Sequence, residues 1–181
     1  LRLLNEEWQT GKFEYKVREE KFKEQGEEML ANYFDNIKKS PPSVVETEYD
    51  FSFQIDNITI VGTIDRIDQN GNNGISITDY KTSKTPTKAK NSLQLAIYSL
   101  YLEQSQDSMI SGSPISSNLY FLRNDDDPIS MHTFDAEELQ SVKDKIVDVS
   151  MGIKNKNFKP EKGNHCNWCD YKDLSCPAWE D

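Results

Sequence analysis

Apolar and polar residues recur along this chain with periods that lay out its elements. Over residues 13–39 the text is charged and nearly free of helix breakers. Met29, Leu30, Tyr33, Phe34 and Ile37 recur there at three- and four-residue steps, which predicts an amphipathic helix. Ser40-Pro41-Pro42-Ser43 ends it, because proline has no backbone donor and restrains the residue before it. Strand-like text follows at 44–53, 58–68 and 75–81. The last two runs flank a loop carrying Asn70-Gly71 and Asn73-Gly74, a hairpin signal, so the three strands read as an antiparallel meander. Residues 91–104 turn helical, with Leu93, Ile97, Leu100 and Tyr101 on one face. Two more strands are predicted at 117–122 and 129–134, around an acidic loop at Asp125-Asp126-Asp127. Asp135 with Glu138 three residues on has the form of a helix start, and that helix runs to about 153. The fold class is therefore α+β, a mixed central β-sheet flanked by helices.

One strand breaks its own pattern. Ile75, Ile77, Asp79 and Lys81 occupy alternate positions, so an acid and a base continue the face that two isoleucines commit to the interior. Asp79 and Lys81 lie about 7 Å apart along the backbone, and Asp65 on the preceding strand reaches the same edge if the hairpin pairs in register. Two ionised carboxylates at close range repel, and a divalent cation relieves that. Mg²⁺ favours one or two carboxylates completed by waters and phosphate oxygens. A lysine beside them can orient or deprotonate water, or neutralise charge on a phosphate, a combination suited to phosphodiester hydrolysis. A partly buried ion pair, or a strand end reaching solvent, accounts for the same charges, and spacing alone does not choose between these readings.

At 181 residues the chain is long enough for one domain with a single substantial core. No run of apolar residues reaches membrane length, and the expectation is an intracellular, cytoplasmic protein with no membrane partner. Asp and Glu number 31 against 21 Lys and Arg, which argues against a surface that grips nucleic acid everywhere but leaves room for a local basic strip. Lys81, Lys84, Lys88 and Lys90 fall within ten residues. The sequence opens at Leu1, in helix-like text and without an initiator methionine, which predicts a fragment of a longer polypeptide.

Gly62-Thr63-Ile64-Asp65-Arg66-Ile67-Asp68, then Asp79-Tyr80-Lys81-Thr82, then Gln94-Leu95-Ala96-Ile97-Tyr98 together resemble the RecB-type branch of the PD-(D/E)XK nucleases, with its G-x-x-D-R-x-D, D-Y-K-T and Q-x-x-x-Y blocks in order. The resemblance implies a restriction-endonuclease-like core at 44–134, a helical lead-in at 1–43, a helix and linker at 135–164 and a cysteine cluster at 165–181. It implies Mg²⁺ or Mn²⁺ held by Asp65, Asp79 and the Tyr80 carbonyl, with Lys81 as the catalytic lysine. Gln94 and Tyr98, four apart on a helix and so on one face, would line the cleft opposite the apolar stripe. Glu48 matches a glutamate on the preceding strand, with Glu46 as the competing candidate. Arg66 and Asp68 would form a supporting ion pair. Lys84, Lys88 and Lys90 would guide the strand through phosphate contacts.

The cysteines form a C-x₂-C-x₆-C-P arrangement at Cys166, Cys169 and Cys176, with His165 adjacent. Zinc could take three thiolates and His165, and three unengaged thiols would fit the same text. The resemblance extends to iron–sulfur nuclease domains appended to superfamily 1 helicases, where such a trio and one distant upstream cysteine hold a 4Fe–4S cluster. Many members of this branch also carry an early G-x-x-x-H, whereas Gly26 is followed by Glu27, Glu28, Met29 and Leu30. Either Glu27 or Glu28 stands in, or the histidine and the fourth cysteine lie upstream of Leu1, which is the expectation here. The implied activity is a metal-dependent DNA nuclease, exonuclease rather than endonuclease, working with a helicase domain in the same polypeptide or a partner subunit. A non-catalytic DNA-binding module on the same fold, or a CRISPR-associated relative, carries the same motifs.

Overall fold

The computed structural model describes residues 1–12, 15–71, 74–107, 110 and 114–179. Two helices, the short α1 (Arg2–Glu7) and the long α2 (Lys16–Lys39), precede β1 (Val44–Ile55), β2 (Ile58–Asn70) and β3 (Gly74–Lys81). A 3₁₀ turn (Ala89–Asn91), α3 (Leu93–Gln104), β4 (Ser116–Phe121), β5 (Ile129–His132) and α4 (Ala136–Lys154) follow, and a second 3₁₀ turn spans Asn164–Trp168. The predicted elements are all present, with ends moved by a few residues. Phe13 and Asn73 lie outside the described residues.

The strands form one five-stranded sheet in the order β1-β2-β3-β4-β5. All neighbours are antiparallel except β3 and β4, which run parallel with α3 in the connection between them. A parallel pair needs such a crossover, and this one converts the meander into a mixed sheet. β3 is central, and five consecutive residues from Ile75 to Asp79 are buried. Both of its faces are covered, as expected for a strand with a helix on each side.

On one face α3 packs over β1, β3 and β4. Phe51 of β1 stacks on Tyr101 at 4.8 Å and meets Tyr98 edge-on. The apolar stripe expected on α3 is only partly what the fold buries: Leu100 is buried and Tyr101 packs on Phe51, but Leu93 is exposed, and Leu95, Ala96, Tyr98, Ser99 and Leu102 are buried as well. The helix is covered on most sides, so periodicity alone did not identify its inward face. On the other face of the sheet, Tyr33 of α2 packs edge-on against Tyr80 of β3 and Tyr120 of β4. The α2 stripe is only half used, since Met29, Tyr33 and Ile37 are partly covered while Leu30 and Phe34 stay exposed.

One local device was legible in the text. Asp135 Oδ1 accepts from the Glu138 N–H at 2.8 Å, and Glu138 Oε2 accepts from the Asp135 N–H at 3.1 Å, so the predicted helix start is a reciprocal cap. Gly62, the first residue of the G-x-x-D-R-x-D block, is needed for space: a Cβ there would lie 2.7 Å from the Phe51 ring.

By its internal contacts the chain divides into two compact units, residues 1–142 and 143–181, with the division inside α4. In the second unit turns follow α4, Cys166 is buried, Cys176 half-buried and Cys169 exposed, and the Lys162 ammonium sits 4.2 Å from the centre of the Trp179 ring. No helix among the described residues is long and apolar enough to cross a membrane.

Gly62→Ala tests the steric role of that glycine. The added methyl must displace Phe51 from its stack, which should cost about 1–3 kcal/mol as overpacking does. Thermal unfolding should show it, and a second change at Phe51 to leucine should recover part of the loss.

Candidate active site

The site lies where two paired strands part. The β2–β3 ladder runs from Asn70 opposite Gly74 to Arg66 opposite Thr78 and stops there, although β2 continues beside β1. One residue further along each strand, Asp65 and Asp79 flank the opening. Asp65 caps it: its Oδ2 accepts the Tyr80 N–H at 2.8 Å, where a β2 carbonyl would have continued the ladder. The Lys81 carbonyl accepts from Leu122 on the β4 side, so by strand alternation the Tyr80 carbonyl points with its N–H toward Asp65.

Asp79 is 2% exposed. Burial pushes its carboxyl above the usual carboxylate range; the Lys81 ammonium opposes that shift, and the Asp65 charge adds to it. Lys81 Nζ approaches Asp79 Oδ2 to 2.5 Å as an ion pair but off the hydrogen-bond direction, so a buried oxygen has a charge beside it and no aligned donor. An oxygen left in that state is costly in a closed protein and suits a site completed by a cation.

From Lys81 a chain of bonds runs into α3. Lys81 Nζ donates to Gln94 Oε1 at 2.9 Å, Gln94 Nε2 donates to the Tyr98 hydroxyl at 2.6 Å, and that hydroxyl donates to the Thr63 carbonyl at 2.6 Å. Helical spacing explains the pairing of Gln94 with Tyr98. The expected polar face opposite the apolar stripe is corrected, however: Tyr98 is buried and anchors α3 to β2 through its hydroxyl. Burial raises its phenol, Gln94 opposes the rise, and the charges of Asp79, Asp65 and Glu48 add to it.

That influence places Glu48 within electrostatic reach of the site, whereas Glu46 acts on Tyr49. Glu48 falls opposite Asp65 in the β1–β2 register, between the Thr47–Arg66 and Tyr49–Ile64 pairs, and its φ is +50°. A left-handed glutamate inside a strand costs about 1–3 kcal/mol, and such strain collects at functional sites. The resemblance marked Glu48 as a candidate, but no sequence signal marked its strained backbone.

The remaining candidates are dispersed. Lys84, Lys88 and Lys90 are exposed; Lys84 lines a hollow with Glu28, Asn32 and Arg123, while Lys90 lines another with Phe134 and Glu137. Glu27 lines a third, beside Leu1 and Lys21. His132 bonds Glu138 at 2.8 Å and so serves the α4 cap. Among the described residues no three His, Cys, Asp or Glu side chains gather into a set that could hold a metal ion. Cys166, Cys169, Cys176 and His165 are among the residues that do not gather. The same absence limits the strand site to two carboxylates and a carbonyl.

Sequence reasoning missed two contributors, the Thr63 carbonyl and Tyr33. Tyr33 was read as part of an apolar stripe, yet its hydroxyl bonds Tyr80 and Arg66. A tyrosine on a buried face needs a partner for its hydroxyl, and that was the available signal.

A buried carboxyl with a raised folded-state pKa binds its proton more readily than in the unfolded chain. The metal-free protein therefore has stability from this group at low pH that is lost as pH rises through the raised value. Asp79→Asn removes the loss. In EDTA at pH 7 it should melt above the parent by ~2–4 °C, equivalent to about 1 kcal/mol for a chain of this size. The gap should close at pH 4. A lower melting temperature at pH 7 would show that the Lys81 pair outweighs the desolvation.

The chain resembles known proteins at two levels. Two solved structures are similar: one named SSO0001, 19% identical over 91% of this chain and 81% of that one, with a TM-score of 0.49, and a presumed exonuclease from Eubacterium rectale, which shares the fold. The latter is 17% identical with a TM-score of 0.52, and the match covers 93% of this chain but only 64% of that one. No curated protein matches the sequence significantly. The family profile described as the PD-(D/E)XK nuclease superfamily matches residues 1–177, nearly the whole chain. With the parted strands, the paired carboxylates and the lysine all in one place, the chain belongs to the PD-(D/E)XK nuclease superfamily.

Proposed function

We propose that this nuclease domain hydrolyses DNA phosphodiester bonds with Mg²⁺ or Mn²⁺, acting on strand ends within a larger helicase-associated protein. The observation that carries the reading is the convergence of Asp65, buried Asp79 and Lys81 at the β2–β3 opening. Asp65, Asp79 and the Tyr80 carbonyl are an all-oxygen donor set, the chemistry that Mg²⁺ and Mn²⁺ favour, and waters and phosphate oxygens complete such a shell. A bound cation would polarise the phosphoryl group and lower the pKa of a bound water.

The chain's own residues do the rest. Lys81 is a third exposed, so its ammonium meets substrate while remaining tied to Asp79 and Gln94. There it orients the water whose oxygen bonds to phosphorus as the ester P–O bond breaks, and offsets the charge that grows on the phosphoryl oxygens. Gln94 holds Lys81 and Tyr98 holds Gln94, which limits the rotamers of a long side chain before the reaction begins. Glu48, strained and exposed across from Asp65 in the strand register, offers a further carboxylate on that side. The exposed lysines 84, 88 and 90 contribute phosphate contacts on the approaches. Exonuclease action is favoured by the fold shared with the Eubacterium rectale protein. No step of this reaction passes through the thiols.

Paired variants test the assignment in single-turnover cleavage at saturating Mg²⁺. Lys81→Ala should lower the rate by roughly 10²–10⁴-fold, the range for a positioned proton-transfer or charge-stabilising group, with DNA affinity little changed. Lys84→Ala, Lys88→Ala and Lys90→Ala combined should weaken binding and flatten its salt dependence while the saturated rate holds. Parent-like cleavage by Lys81→Ala would overturn the mechanism, and no cleavage by the parent with any divalent metal would make the chain a binding module.

A further inference from the structure

The reverse face of the parted strands carries a second set of bonds. Arg66 directly follows Asp65, and Thr78 and Tyr80 bracket Asp79. The Arg66 guanidinium joins them: NH2 donates to Thr78 Oγ1 at 3.3 Å and NH1 donates to the Tyr80 hydroxyl, while Nε donates to Asp68 at 3.0 Å. Tyr33 of α2 closes the group, its hydroxyl 2.6 Å from that of Tyr80 and 3.0 Å from Arg66 NH1. The guanidinium also lies over the Tyr80 ring, 5.4 Å from its centre. The Arg66 and Asp68 side chains are only 11% and 7% exposed, so these bonds form largely out of water, where geometry is tightly held.

This cluster sits where the backbone ladder has ended. Beyond Arg66 and Thr78 no main-chain bond fixes β2 to β3. What ties them is the Asp65 cap on one side of Tyr80 and the Arg66–Tyr33 grip on its side chain. Tyr80 thus presents its main chain toward Asp65 and its phenol to a clamp anchored in a different element. A shift of α2 would move Tyr33, then Tyr80, and with it the position of the Tyr80 carbonyl and the neighbouring Asp79.

We propose that Tyr33, acting with Arg66 on the Tyr80 phenol, is a positioning residue that sets the spacing of Asp65, Asp79 and the Tyr80 carbonyl for a divalent cation. The inference rests on the metal-binding reading above and extends it to a residue of α2 that touches neither metal nor substrate. Groups of this kind, bonded to ligands rather than being ligands, typically change metal affinity by 10–100-fold when altered.

Mn²⁺ binding to the parent chain and to Tyr33→Phe, Tyr80→Phe and the double variant, measured by calorimetry, tests it. Each single change removes one hydroxyl and should weaken Mn²⁺ binding by roughly tenfold; the double should be no worse than either single, because the hydroxyls act as one unit. Tyr101→Phe is the control. It deletes a comparable hydroxyl pair, with Tyr49 at 3.1 Å, and should alter melting temperature while leaving Mn²⁺ affinity as in the parent. If Asp79→Ala abolishes binding but Tyr33→Phe binds like the parent, Tyr33 is only structural and the inference fails. If Asp79→Ala binds as the parent does, or the parent binds no Mn²⁺, the metal-site reading fails first and takes the inference with it.

Discussion

Everything at the site depends on the early end of the β2–β3 ladder. Had the pairing continued past Arg66 and Thr78, the Tyr80 N–H would have been satisfied by a β2 carbonyl, and Asp65 would have been one more side chain on a sheet. Instead the strands part, and a carboxylate takes over the role of a backbone acceptor. The substitution opens room for a third body between two acids while leaving the buried donor satisfied. A backbone bond replaced by a side-chain bond is also adjustable, since a carboxylate has oxygens to spare where a carbonyl has one.

The opening is stabilised from both faces by different chemistry. On the α3 side the bonds run in series from Lys81 through Gln94 and Tyr98 to the Thr63 carbonyl, so the helix holds the lysine and is itself held to β2. On the α2 side they converge on one guanidinium, whose fork spans Thr78, Tyr80 and Asp68. The first arrangement leaves the ammonium partly exposed to substrate; the second is largely closed to water. A sheet buried on both faces would ordinarily be apolar, and the charges on β2 and β3 are tolerated because almost every one has a bonded partner. The exceptions are Asp68 Oδ1 and Asp79 Oδ2, and each of these has a cation beside it, Arg66 and Lys81 respectively.

Two local costs are borne beside the opening. Glu48 adopts a left-handed conformation opposite Asp65, and the buried Asp79 carries the cost of desolvation. Neither serves the sheet. Glu48 falls opposite Asp65 in the strand register and Asp79 lies across the opening from it, costs of the kind that a functional site imposes on a stable fold.

The text of the chain determined the order and type of the elements, because period-two and helical patterns are local and the punctuation at Ser40-Pro41-Pro42 and Asp135 is explicit. It also marked Asp65, Asp79, Lys81, Gln94 and Tyr98, since their spacing and joint occurrence carry more information than any one of them. Only the tertiary structure decided which residues reach each other across elements. The meander became a mixed sheet because α3 returns β4 parallel to β3. Tyr98 turned inward because α3 is covered on several sides, and the lysines at 84 and 90 came to line different hollows. Glu48 and Tyr33 gained their places through contacts far apart in sequence, Glu48 opposite Asp65 and Tyr33 on Tyr80 and Arg66, and no local pattern encodes a partner that only folding brings near.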